Sequence, residues 1–180
     1  MSLYGAWRLV RLDPEAMHYF NITIEGFFRS FFAVFLALPY FLSLLLWPSH
    51  ATQEAMTWAY DPVLALVGYG LSWVVFPVVA ALLARLFALT HSYVGYIVAW
   101  NWASALLAQP LLVLQLLFQV GMMPMELHEL IQPPLFFFVM WYSWAIARIA
   151  LGTGPWLAAG FAVVAELVDL VIFSAFIQPV

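Results

Sequence analysis

Five long apolar segments constrain the fold of this chain more than any other feature. They cover residues 27–47, 63–89, 93–120, 133–151 and 155–178. A helix needs about 20 mainly apolar residues to cross the hydrocarbon core of a bilayer. Inside that core only helices and closed barrels satisfy their own backbone polar groups. The sequence therefore predicts an all-α integral membrane protein with five transmembrane helices.

The composition excludes several classes of protein. Of the 180 residues, 67% are hydrophobic and 8% are charged, whereas ordinary soluble domains carry about 25% charged residues. So few charges cannot cover a soluble domain, which excludes a soluble enzyme, a nucleic-acid-binding protein and a disordered linker. Lysine and cysteine are absent, while alanine, leucine, tryptophan and proline are plentiful. This bias is typical of GC-rich bacterial genomes, and we expect a location in the bacterial cytoplasmic (inner) membrane.

The arginines predict the orientation. They lie before or within the first segment and near the ends of the second and fourth, and the intervening loops 48–62 and 121–132 contain acids but no arginine. The five are Arg8, Arg11, Arg29, Arg85 and Arg148. Short cytoplasmic loops carry an excess of positive residues. We therefore expect a cytoplasmic N-terminus and an external C-terminus.

Residues 1–26 form an amphipathic leader ahead of a single transmembrane domain, residues 27–180. Apolar residues alternate in it with Arg8 and Arg11. Asp13, Pro14 and Glu15 provide a helix cap, a first-turn proline and a first-turn acid, so a short helix is expected to begin there. We expect this leader to lie on the cytoplasmic membrane surface rather than to form a separate domain.

Two acids lie inside the last apolar segment. Glu166 and Asp169 are three residues apart and therefore share one helical face. Acids in a bilayer usually face the bundle interior and mark proton or ion paths. Counting about 1.5 Å per residue places Asn101, Ser104 and Tyr142 level with Glu166, and Asn101 and Tyr142 are its expected hydrogen-bonding partners. The pair is either a proton or cation site or a structural acid that bonds a neighbouring helix.

Small residues recur every four positions in the third segment, at Gly95, Ala99 and Ala103. Such a stripe allows a second helix to approach closely. It predicts either packing within the chain or a contact between copies of the chain.

Sequence patterns for catalysis are not found. The chain has no serine nucleophile elbow and no glycine-rich phosphate loop. His128-Glu129 begins a zinc-protease pattern, but Gln132 stands where the second histidine is needed. We expect no catalytic residues, no metal site and no cofactor.

Two short motifs lie in the leader and at the opening of the first segment: Leu9-Val10-Arg11-Leu12-Asp13-Pro14, and residues 26–32 with the sequence GFFRSFF. With five spans, a cytoplasmic leader and an external C-terminus, the chain resembles the Yip family of small membrane proteins. The resemblance implies a five-span architecture, and no functional residue is carried over from it.

These features predict a non-catalytic membrane protein that acts as a scaffold, an accessory subunit or a membrane-organising factor. Its partners would be membrane lipids and either other membrane proteins or further copies of the chain. The alternative is a proton- or cation-coupled transporter or channel that uses the acids of the last helix. This alternative predicts a polar cavity beside Glu166 and Asp169.

Overall fold

A computed structural model describes residues 2–46 and 61–176 of the chain. Within them all regular structure is helical. The elements are α1 (Ser2–Val10), a 3₁₀ helix (Pro14–Tyr19), α2 (Ile24–Ser30), α3 (Ala33–Leu46), α4 (Pro62–Leu86), α5 (Tyr93–Gln119), α6 (Met125–Ala150) and α7 (Pro155–Phe176). The predicted ends of the first and last segments, Trp47 and Gln178, lie outside the described residues.

Five helical segments of the described chain are long and apolar enough to cross a membrane. Four are α4, α5, α6 and α7, and the first runs from Ile24 to Leu45 through α2 and α3. The prediction of an all-helical chain with five such segments is confirmed. These helices indicate a membrane-embedded protein.

The fourth long helix begins earlier than the sequence predicted. α6 starts at Met125 rather than at Pro133, so most of the predicted loop 121–132 is helical. The prediction began the helix at the first purely apolar residue, but a helix can extend beyond the apolar segment. Pro124, in an extended conformation, precedes the first turn, and Glu126 lies within that turn, where an acid interacts favourably with the helix dipole. Pro133 and Pro134 therefore lie inside the helix.

The first span also begins earlier than predicted. The Thr23 hydroxyl accepts a hydrogen bond from the Gly26 amide at 3.1 Å and caps α2. Because of this cap α2 begins at Ile24, and the predicted boundary between leader and transmembrane domain falls inside a helix.

The leader packs against the bundle on one of its faces. α1 contacts α5 and α6, and its Ala6 and Leu9 are fully buried, while Trp7 is 54% exposed. The Arg8 guanidinium joins α1 to the 3₁₀ helix through ion pairs with Asp13 and Glu15. The helix expected at Asp13-Pro14 is this short 3₁₀ helix, capped by the Asp13 carboxylate.

α5 lies at the centre of the fold. It contacts α1, α2, α3, α4 and α6, while α7 packs against α4 and α6. Tyr96, Ile97 and Phe161 are among the largest fully buried side chains, and they belong to one core cluster to which α1, the 3₁₀ helix, α4, α5, α6 and α7 all contribute. Aromatic and aliphatic burial of this kind fills the space between helices tightly.

The small-residue stripe of α5 is buried. Ala99 and Ala103 are fully buried, and Gly95 is buried as well. A Cβ atom added at Gly95 would lie 3.3 Å from Met17 Cε and 3.5 Å from Ile22 Cγ2. The leader therefore covers this end of the stripe, and that part of it is in contact within the chain.

Candidate functional site

Three adjoining cavities lie among the long helices, and together we call them the central cleft. The first, about 280 Å³, lies between α3, α4, α5, α6 and α7. The second, about 480 Å³, lies between α3, α4 and α7, and the third, about 120 Å³, lies between α4, α5 and α7. Asp169 lines all three cavities. The cleft is therefore arranged around one carboxylate of α7.

The two acids of α7 have different surroundings. Glu166 is half-buried, and its Oε1 accepts a hydrogen bond from the Ser143 hydroxyl at 3.2 Å. Asp169 is exposed to the space of the cleft. Among the described residues, no hydrogen bond or ion pair reaches its carboxylate. One acid is thus held by a neighbouring helix, and the other is available to a ligand or a proton.

Tyr142 lines the first cavity beside both acids, but its hydroxyl is used elsewhere. It donates a hydrogen bond of 2.8 Å to the Ala6 carbonyl in the leader. In this structure the Tyr142 hydroxyl therefore does not donate to Glu166, which accepts from Ser143 instead. The acceptor, the Ala6 carbonyl, belongs to the leader, and counting residues along the transmembrane helices could not reveal it.

Asn101 lines the third cavity with Asp169. Its amide donates a hydrogen bond of 2.9 Å to the Ser30 hydroxyl, so it joins α5 to α2 rather than bonding an acid of α7. The structure brings all four residues named from the sequence to one cleft, but Glu166 is bonded by Ser143 rather than by Asn101 or Tyr142.

Sequence reasoning missed Ser143 as the residue that bonds Glu166. Ser143 follows Tyr142 directly on α6, so the depth count that selected Tyr142 also applied to it. Ser104, considered at the same depth on α5, lines the first and third cavities.

Aromatic side chains line much of the cleft. Phe41 and Tyr69 border both larger cavities, and their rings stack with centroids 4.4 Å apart. The Tyr69 hydroxyl donates a hydrogen bond of 2.6 Å to the Val34 carbonyl. Trp100 lies against Phe76, with centroids 4.5 Å apart, and borders the first and third cavities. The cleft therefore combines two carboxylates with a mostly apolar wall.

The arginines of the chain do not pair with these acids. All five arginines lie in the described residues, and their ion pairs are with Asp13, Glu15 and Glu25. Arg148 donates a hydrogen bond to the Thr153 carbonyl in the turn between α6 and α7. The acids of the cleft are thus not neutralised by any arginine of the chain.

In the part of the chain that the structure describes, no three histidine or acidic side chains form a group that could hold a metal ion. Comparisons with protein-family models, curated proteins and solved structures find no match. The resemblance to the Yip family therefore stays a prediction.

Proposed function

We propose that this chain moves protons or cations across a membrane, with Glu166 and Asp169 as the site that titrates or binds the cation. One observation carries the proposal: the Asp169 carboxylate lines all three cavities of the central cleft and has no partner among the described residues. An unpaired charge away from water is costly. Such a carboxylate is stable when it is protonated or when it binds a cation.

The difference between the two acids favours transport over a structural role. A structural acid inside a bundle gains its stability from a hydrogen bond to a neighbouring helix. Glu166 has such a bond from Ser143, whereas Asp169 faces the cavities without one. Asp169 is therefore the better candidate for exchange of a proton or cation, and Glu166 adds a second negative charge three residues away.

We further propose the orientation and the location that the sequence predicts. Arg85 and Arg148 lie near the C-terminal ends of α4 and α6, and α1, which carries Arg8, packs against α6. An excess of arginine on one side indicates the cytoplasmic side of a bacterial inner membrane.

The test is proton and cation flux in proteoliposomes that contain the purified full chain. We expect flux from the wild type, a loss of most of it in Asp169→Asn, and a reduction in Glu166→Gln. Glu126→Gln is the matched control, because this acid is exposed in the first turn of α6. Flux through the control should equal that of the wild type.

The opposite result favours the role predicted first from the sequence. If folded and inserted wild-type protein gives no flux above empty liposomes, transport by this chain alone is wrong. The scaffold, accessory or membrane-organising role is then the better hypothesis, and co-purification from membranes would seek the partner.

A further inference from the structure

The size of the central cleft indicates what kind of cation it takes. Its two larger cavities measure about 280 and about 480 Å³ and share Phe41, Tyr69 and Asp169 as lining residues. Pockets for small organic molecules range from about 300 to 1,000 Å³. The joined cavities match that range, and they are much larger than one inorganic ion needs.

The cleft is not built like a site for an inorganic cation of high coordination number: among the described residues, no three acidic or histidine side chains form a group that could hold a metal ion. Calcium, for example, takes about six to eight oxygen ligands. Besides the carboxylates of Glu166 and Asp169, the first cavity has the hydroxyls of Tyr40, Ser104 and Ser143, and the Ser143 hydroxyl donates to Glu166. The Tyr69 and Tyr142 hydroxyls donate to backbone carbonyls, so their rings line the wall instead. Much of the wall would have no role in binding a bare ion.

Part of the cleft wall reaches the outer surface of the helices. Leu44 and Phe173 line the second cavity and are 41% and 52% exposed. In a membrane-embedded bundle such side chains face lipid. A molecule that dissolves in the bilayer can reach this cavity from the side.

We propose that the ligand of the cleft is a monovalent, amphipathic organic cation, an inference that rests on the proposed function. Its positive group pairs with the Asp169 carboxylate, and its apolar body lies against Phe41, Tyr69 and Trp100. Aromatic faces attract cations, and Arg, Lys and ligand ammonium groups all use this contact. The carboxylate provides charge selectivity, and the aromatic wall provides affinity for the apolar body.

The test is equilibrium binding of tetraphenylphosphonium to the full chain in detergent, with uncharged triphenylphosphine oxide as the control probe. We expect saturable binding of the cation and none of the neutral probe. Asp169→Asn should weaken binding about tenfold or more, because a charge pair away from water is lost. Phe41→Ala should weaken it about threefold or more through the lost aromatic contact.

Glu126→Gln is the matched control, because it removes an exposed acid in the first turn of α6 that does not line the cleft. It should bind the cation as the wild type does. Circular dichroism and gel filtration establish that each variant is folded. If Asp169→Asn does not fold, tetraphenylphosphonium binding to Glu166→Gln and Phe41→Ala tests the inference in its place.

The outcomes separate this inference from the proposed function. Acid-dependent proton flux without saturable tetraphenylphosphonium binding would overturn the inference and leave the proposed function standing. Binding that depends on Asp169, without any flux, would support the ligand class and contradict transport. Equal binding of the charged and neutral probes would show partition into detergent or an apolar groove, and would overturn the inference.

Discussion

Charged residues of this chain differ in whether they have a bonding partner within the chain. Glu166 and Asp169 lie one helical turn apart, yet one is bonded by Ser143 and the other faces the cleft. At the other end of the chain Arg8 is surrounded by acids, and its guanidinium also lies 4.9 Å from the centre of the Tyr19 ring. The charges of Arg8, Asp13 and Glu15 in the leader are thus paired, whereas no described residue bonds the Asp169 carboxylate in the cleft.

Asp13 is the residue at which pH should act on the leader. The Glu15 amide donates to its carboxylate at 3.0 Å, and the Arg8 Nε donates to it at 2.6 Å. These bonds, the Glu15 amide first, hold the pKa of the Asp13 carboxyl below its usual range. A lowered pKa in the folded state stabilises the fold above the unfolded pKa, and this contribution is lost as pH falls through the folded pKa.

We therefore expect the leader to remain docked at neutral pH and to loosen below about pH 4, the ordinary aspartate range. Amide hydrogen exchange of residues 2–10, corrected for its intrinsic pH dependence, measures this. Asp13→Asn should exchange faster than the wild type at neutral pH and lose this acid transition. Glu25→Gln, which removes an exposed ion pair with Arg29, should leave it unchanged. An identical profile in Asp13→Asn and the wild type would contradict the prediction.

Among the elements, α4 and α7 form a contact that depends on one glycine. A Cβ atom placed on Gly68 would lie 2.6 Å from Phe176 Cβ and 3.3 Å from its Cγ. The neighbouring Gly70 has open space at the same position. Gly68 therefore allows α7 to pack close to α4 beside the second cavity, of which it is a lining residue.

Gly68→Ala should destabilise the fold by about 1 to 3 kcal/mol, the usual cost of an added methylene in a packed interior. Unfolding by denaturing detergent, followed by circular dichroism, measures this free energy. Gly70→Ala is the matched control, because it adds the same methyl group in the same helix without a contact. Equal stability of the two variants would mean that the α4–α7 contact is not close at this position.

The elements also show where sequence reasoning succeeded. The five long helices follow from local composition, because a run of about 20 apolar residues needs no partner to predict it. The starts of α2 and α6 do not follow from the apolar composition. The start of α2 depends on the cap at Thr23, and that of α6 depends on a polar first turn after Pro124. Hydropathy marks the apolar part of a helix, whereas capping decides where the helix begins.

For the whole molecule, the leader and the five spans form one packed unit. α1 contacts α5 and α6, and the Tyr142 hydroxyl bonds the Ala6 carbonyl. Tyr142 also lines the first cavity of the cleft. The leader is therefore tied to the same helix that bonds Glu166.

The orientation of the whole chain is testable because the sequence contains no cysteine. His91 is exposed in the turn between α4 and α5, and Met122 is exposed in the turn between α5 and α6. With a cytoplasmic N-terminus, a membrane-impermeant maleimide should label Met122→Cys in intact cells, and His91→Cys only after the membrane is opened. The reverse pattern would invert the orientation.

The sequence by itself determined the properties that depend on neighbouring positions along the chain. These are the five apolar helices, the placing of the arginines and the shared face of Glu166 and Asp169, all of which follow from composition and the helical repeat. Only the tertiary structure decided the partners: Ser143 for Glu166, Ala6 for Tyr142, Ser30 for Asn101, and the leader over Gly95. These contacts join residues far apart in sequence, and they depend on how each helix is rotated against its neighbours. The central cleft is the result of those rotations, and no single helix contains it.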